Sequence, residues 1–167
     1  MPLPLIGDTM FTTAAPPRPP IRTIAVSTLS SCAALGVLAA LTAASGHPWL
    51  IPPMAASMAL IMGVPHLPLA QPRNVVGGQT LSALVGVLVG LFGDSLWLGA
   101  LAGGLALGAM MAARMPHSPA AATAVLGVSV DTNVGFVALA LLAAVVLVVV
   151  GLAGNRLNGA EYPSYFW

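Results

Sequence analysis

Charge is what this sequence has least of. Only 5% of its 167 residues are charged, against about 25% in an ordinary soluble domain. Lysine does not occur, the five cations are all arginine, and the net charge is +1. With no basic run, a nucleic-acid or polyanion surface is excluded. Cysteine occurs once, at Cys32, so there is no disulfide framework and no thiolate metal site. Its place inside an apolar stretch predicts a small packing residue. The three histidines, His47, His66 and His117, show no HxxxH or carboxylate spacing, and no metal site is expected. No nucleotide loop of the form GxxxxGK(S/T) is present, and no nucleophile, base and orienting group recur at usable spacing. Neither an enzyme nor a bound cofactor is therefore expected.

What fills the chain is apolar: 58% of residues, with a mean hydropathy of +0.97. The expectation is an all-α integral membrane protein. Four apolar stretches, residues 21–45, 75–92, 95–113 and 134–154, approach or exceed the roughly 20 residues that carry a helix across a hydrocarbon core of about 30 Å. Residues 1–20 hold six prolines and no helical period, and are expected to be a disordered tail. Arg18 and Arg22 precede an apolar run ending in "TAASG", which looks like a signal-peptide cleavage site. That run is longer than the usual h-region of roughly 7 to 15 residues, so a retained helix is expected.

Between the long stretches lie two short ones, 53–64 and 119–130. At about 1.5 Å per residue each covers roughly half a bilayer. Their openings share the pattern PxAA(S/T): Pro53, Ala55, Ala56 and Ser57 match Pro119, Ala121, Ala122 and Thr123. Each copy follows one long stretch and precedes another, so 21–92 and 95–154 read as two three-element repeats, four long transmembrane helices and two half-helices in all. If each short segment completes a crossing with the chain leading into it, the repeats are inverted. Arg18, Arg22, Arg73, Arg114 and Arg156 then share one side, and Asp94 and Asp131 the other. The positive-inside rule makes the arginine side cytoplasmic. Both termini, including a tail at 155–167, are then cytoplasmic, in what is expected to be a bacterial inner membrane. If the short segments instead re-enter their own side, Arg73 and Arg114 lie outside.

Interrupted helices in inverted repeats place a substrate site near the midplane. A half-helix N-terminus presents unpaired N–H groups and about half a positive charge, which suits an anion. Proline fits the first turn of such a helix, the Ala-Ala pairs admit close approach to the backbone, and Ser57 and Thr123 add hydroxyl donors. The alternative is that these motifs are packing corners of a structural or regulatory membrane subunit, or line a channel for a neutral solute.

The decapeptide "PHLPLAQPRN", residues 65–74, interrupts the apolar background. Pro65, Pro68 and Pro72 forbid a continuous helix. Arg73 offers a planar fork suited to oxyanions, and Gln71 and Asn74 accompany it. Either these residues shape a cytoplasmic mouth that attracts the anion, or Arg73 is a topology anchor with Gln71 in water. Asn74, Gln79, Thr80 and Ser82 carry polarity into the next apolar stretch, where such residues face the bundle interior or a pathway. His117, beside the second motif, is an interfacial hydrogen-bonding group or a pH-responsive one. Asp131 and Asn133 are expected to cap a helix or line an outer vestibule, the alternative for Asp131 being to repel anions or couple a proton. Gly86/Gly90, Gly99/Gly103 and Gly104/Gly108 repeat GxxxG, the spacing of close helix contact within or between subunits. With about six crossings one subunit is small for a transporter, so a homo-oligomer is expected.

The run "PHLPLAQPRNVVGGQTLSALVGV", with "PPMAAS" before it, "HSPAAATAVLGV" after it and the terminal "NRLNGAEYPSYFW", resembles the HPP family of integral membrane proteins over roughly residues 20–167. The resemblance implies four membrane-spanning helices, and some plant and cyanobacterial members are nitrite transporters, so it implies nitrite as the leading substrate. The family's His-Pro-Pro-Ala-Gly-Ala-Thr reads here as His117, Ser118, Pro119, Ala120, Ala121, Ala122 and Thr123. One proline and one glycine are replaced at the start of the second half-helix.

Overall fold

The structure, a computed structural model, describes residues 16–129 and 134–166. The described residues form six α-helices and no strand. They are α1 (Ile21–Ser45), α2 (Pro52–Gly63), α3 (Pro72–Gly90), α4 (Leu96–Ala112), α5 (Ser118–Ser129) and α6 (Val134–Asn158), with a 3-10 turn at Pro68–Ala70 before α3. Of the proline-rich tail, residues 16–20 carry no helix. The remainder of the tail, with Val130, Asp131 and Asn133, lies outside the described residues.

Local chemistry sets the helix ends. Gly46 closes α1 in the left-handed conformation at φ 70, its N–H reaching the Thr42 carbonyl, a backbone shape that costs a Cβ-free residue little. Ser95 caps α4, accepting from the Leu98 N–H. α3 starts at Pro72 rather than at the expected residue 75. Gln71 is extended at ψ 147, and Pro72 is preorganised for a first helical position, so Arg73 and Asn74 belong to the first turn of the helix. α6 runs four residues beyond the expected 154, to Asn158. Arg156 lies in its last turn, where a cation complements the helix dipole, and Gly159 at φ 69 follows.

α1 and α6, 25 residues each, are long and apolar enough to cross a membrane. α3 has 19 residues, α4 has 17, and α2 and α5 have 12 each, so the short elements stand where the proline punctuation implies. α3 is central, packing on α4, α5 and α6, while α1 and α2 pack against α6. The principal core joins Leu38, Met54, Met58, Ile61, Val75, Ala140, Ala144 and Leu147. The outer face carries Leu29, Phe92, Leu96, Trp97, Met111 and Val149, all exposed. So much outward apolar surface suits a lipid surrounding.

Hydrogen bonds fix how the helices run. Arg22 donates to the Leu157 carbonyl at 3.0 Å, Asn158 Nδ2 to Ser27 Oγ at 3.1 Å, and Ser27 Oγ to the Met62 carbonyl at 3.2 Å. The start of α1 and the ends of α2 and α6 therefore share one end of the bundle. Arg73 donates to the Ala113 carbonyl at 3.4 Å, and Tyr162 Oη donates to the Ala70 carbonyl at 3.0 Å. The start of α3 and the end of α4 thus join that same end, with Arg22, Arg73, Arg114 and Arg156.

α5 does not start at that end. Gly78, six residues into α3, meets the His117 Cβ and the Met115 carbonyl, and Gly86 meets the backbone of Ala124 and Gly127. α5 therefore runs parallel to α3 and begins about 9 Å along it. α2 likewise starts inside, because the chain after α1 doubles back until the Leu50 N–H reaches Thr42 Oγ1 at 3.0 Å. Its end lies beside the start of α3, so α2 is antiparallel to both α3 and α5. Cys32, expected as a packing residue, has its side chain on the exposed face of α1.

Candidate functional site: a buried polar chain between the short helices

The two PxAA(S/T) motifs open their helices with the same turn. The Met54 N–H donates to the Ile51 carbonyl at 2.9 Å, and the Ala120 N–H to the His117 carbonyl at 3.0 Å. Each helix has proline at its second position, where an N–H would have no intrahelical partner. One turn further along, Ser57 and Thr123 turn their hydroxyls inward, and both side chains are completely buried.

Gln79 of α3 stands between them. Its Nε2 donates to Ser57 Oγ at 2.9 Å, and its Oε1 accepts from Thr123 Oγ1. On the other side of Ser57, His117 Nε2 lies 2.7 Å from Oγ, and His117 Nδ1 lies 2.7 Å from the Leu69 carbonyl. A continuous polar chain thus runs from Leu69 through His117, Ser57 and Gln79 to Thr123. It ties the decapeptide, both short helices and α3 together inside an apolar bundle. Ser57, Gln79, His117 and Thr123 are each 0% exposed. Ser82, one turn further along α3, is equally buried and its hydroxyl has no hydrogen-bond partner. Closely approaching glycines make room for this: a methyl at Gly78 would meet His117 Cβ at 2.7 Å.

The remaining predicted residues separate from this chain. Pro53 is buried and contributes its carbonyl, which lies 2.9 Å from Ser57 Oγ. Pro119 and Ala121 are half-buried, while Ala55, Ala56 and Ala122 face outward. Gln71 and Asn74 are buried, and their amides hold the local fold. Gln71 Nε2 donates to the Pro65 and Leu67 carbonyls at 2.8 and 3.0 Å, and Asn74 Nδ2 to the Pro68 carbonyl at 2.7 Å. Arg73 occupies a different face of α3. It lines a groove of about 420 Å³ with Val76, Gly77, Thr80, Leu84 and Met115.

Two contributors were not among the predicted site residues. Gln79 had a readable signal, a carboxamide in the middle of an apolar helix. The terminal segment had only its aromatic character. Ser164 donates its N–H to Gln71 Oε1 at 2.8 Å, and Asn74 Nδ2 reaches Tyr165 Oη at 3.4 Å. Tyr162 is buried over Ala70, and burial pushes its phenol above the ordinary range. The tail thus straps the decapeptide in place.

A bundle of helices with an apolar exterior and a buried polar seam defines a helical membrane protein. The family described as "HPP, transmembrane region" matches residues 16–163, and the chain belongs to that family. It is similar to two transmembrane proteins of Dictyostelium discoideum. One is 36% identical over 71% of this chain and 45% of its own length. The other is 33% identical over 92% of this chain and 54% of its own length. The chain therefore spans about half the length of the curated relatives it matches. No solved structure matches it.

Proposed function

We propose that this protein passes a small anion across the membrane, as a transporter or channel, with nitrite the leading substrate and no chemical conversion of it. The observation that carries the reading is the buried chain Ser57–Gln79–Thr123, which links two antiparallel, proline-opened half-helices one turn inside their starts. Polar side chains inside a membrane bundle are costly and mark pathways. Paired helix N-termini offer a small anion N–H donors and partial positive charge. On this reading α1–α3 and α4–α6 are inverted repeats, each short helix completing a crossing. The arginine end is cytoplasmic with both termini, the membrane is a bacterial inner membrane, and Arg73 attracts the anion from its groove. Gly104 and Gly108, with open space beside them, are the spacing at which a second copy would pack. Ser57 and His117 stand at nucleophile–base distance, but Ser57 Oγ also accepts from Gln79 and the other nitrogen of His117 faces the Leu69 carbonyl rather than a carboxylate, so no conversion of the anion is proposed.

The test is flux. Purified protein in liposomes is expected to pass nitrite faster than empty liposomes, with nitrate, formate, chloride and a neutral solute measured alongside. Rates for every anion equal to those of empty liposomes would sink the proposal. A second reading has one observation in its favour: relatives about twice as long suit a membrane module that serves an attached or partner domain. Absent flux together with a stable partner complex is its signature.

A further inference from the structure

Ser57 Oγ has three partners and one hydrogen. Gln79 Nε2 brings its own proton. The Pro53 carbonyl at 2.9 Å only accepts, and His117 Nε2 lies at 2.7 Å. The opposite ring nitrogen settles which forms of His117 fit. Nδ1 faces the Leu69 carbonyl at 2.7 Å, where a bare lone pair would oppose a carbonyl oxygen, so Nδ1 carries a hydrogen. Two arrangements then satisfy every group. With neutral His117, Ser57 donates to Nε2. With His117 as the cation, Nε2–H donates to Ser57 Oγ, which turns its own hydrogen to the Pro53 carbonyl. Rotation of one hydroxyl about its C–O bond converts one into the other. The only covalent change is the N–H bond formed when the Nε2 lone pair takes up the proton.

We infer that Ser57, His117 and the Pro53 carbonyl form a built proton-binding site, loaded together with the anion. The proton site stands on the geometry, and its coupling to an anion rests on the function proposed above. The cation would need a partner. The charged or titratable groups on the elements packed around His117 are His66, exposed, Arg73, half-buried on the Ala113 carbonyl, and Arg114, exposed. No carboxylate lies on those elements among the described residues. An anion at the start of α5 supplies the missing charge, so the two ligands bind reciprocally, each raising affinity for the other.

The experiment is histidine ¹⁵N NMR on the full chain in bilayers between about pH 8 and pH 4, paired with anion and proton flux in liposomes. His117 is expected to convert from the Nδ1–H form to the doubly protonated form, at a less acidic pH when nitrite is present. In Ser57→Ala, conversion is expected to require about tenfold more acid, because the cation loses a charge-assisted hydrogen bond and the neutral ring only a weaker one. His117→Asn, which retains a donor for Leu69, is expected to lose proton movement. A His117 signal unchanged across the range, or conversion that ignores Ser57→Ala, overturns the proton site. Proton movement intact in folded His117→Asn overturns the coupling. If His117 converts as expected but no anion passes, the transport proposal fails and the proton site stands.

Discussion

Gln79→Leu tests the link between the two short helices. The substitution keeps the volume and removes two bonds, to Ser57 Oγ at 2.9 Å and from Thr123 Oγ1. Side-chain hydrogen bonds inside membrane bundles average about 0.6 kcal/mol and reach about 1.7 kcal/mol. Two of them bracket the loss between about 1.2 and 3.4 kcal/mol. The lower part of that range is expected, because Thr123 has a fallback. A helical hydroxyl can turn to the carbonyl four residues back, as Ser57 does with Pro53 at 2.9 Å. The expected cost is therefore about 1 to 2 kcal/mol, read as a shift in reversible unfolding by SDS in mixed micelles. A double-mutant cycle with Thr123→Val isolates the pair and is expected to return about 0.6 to 1.7 kcal/mol of coupling. Wild-type stability in Gln79→Leu, or coupling indistinguishable from zero, refutes the argument that Gln79 holds the two half-helices together.

Glycine substitutions give a second check. A methyl at Gly86 would run into backbone atoms of α5, including the Cα atoms of Ala124 and Gly127 at 3.0 Å, whereas nothing lies within 4 Å of one at Gly36. Gly86→Ala is expected to lose about 1 to 3 kcal/mol through overpacking, and Gly36→Ala to gain up to about 1 kcal/mol in helix propensity, both measured by thermal unfolding in detergent. Asn155 Nδ2 donates to the Ile61 and Gly151 carbonyls, each at 3.0 Å, pinning α2 to α6. Asn155→Leu is expected to cost about 0.6 to 1.7 kcal/mol and to increase hydrogen exchange in α2 selectively. For Tyr162 the sign follows from its raised folded-state value. The folded state holds the phenolic proton more tightly than the unfolded chain does, so this contribution is constant below the ordinary 10.0 and is lost as pH climbs above it. Tyr162→Phe is expected to flatten that alkaline loss in a pH series of unfolding midpoints and, by removing the bond to Ala70, to lower stability by about 1 kcal/mol.

The helices were legible because membrane chemistry writes them plainly. Leu, Val and Ala runs mark the long elements, and Pro53 and Pro119 mark where the short ones begin. Boundaries shifted, and Cys32, expected to pack, faces outward. Pro72 read as a breaker, yet a proline is equally a good first helical residue, and only the extended Gln71 before it decided between the two. Ser57 and Thr123 were recognisable as inward groups by their matching positions. Gln79 was recognisable as polar, but not as their common partner, because that pairing spans 22 and 44 residues of sequence. Arg73 and Asn74 are neighbours in sequence and sit on different faces of α3, since adjacent helical residues point about 100° apart.

Composition and proline placement by themselves determined a helical membrane protein with short, proline-opened elements between longer ones, because apolar length and missing N–H groups are properties of contiguous chain. Tertiary structure alone decided that His117, Ser57, Gln79 and Thr123 form one chain, and that the terminal aromatic segment straps the decapeptide. Those contacts depend on how far each helix slides along its neighbour. That offset is set by close packing at Gly78 and Gly86 against the start and middle of α5, and no local pattern in the sequence encodes it.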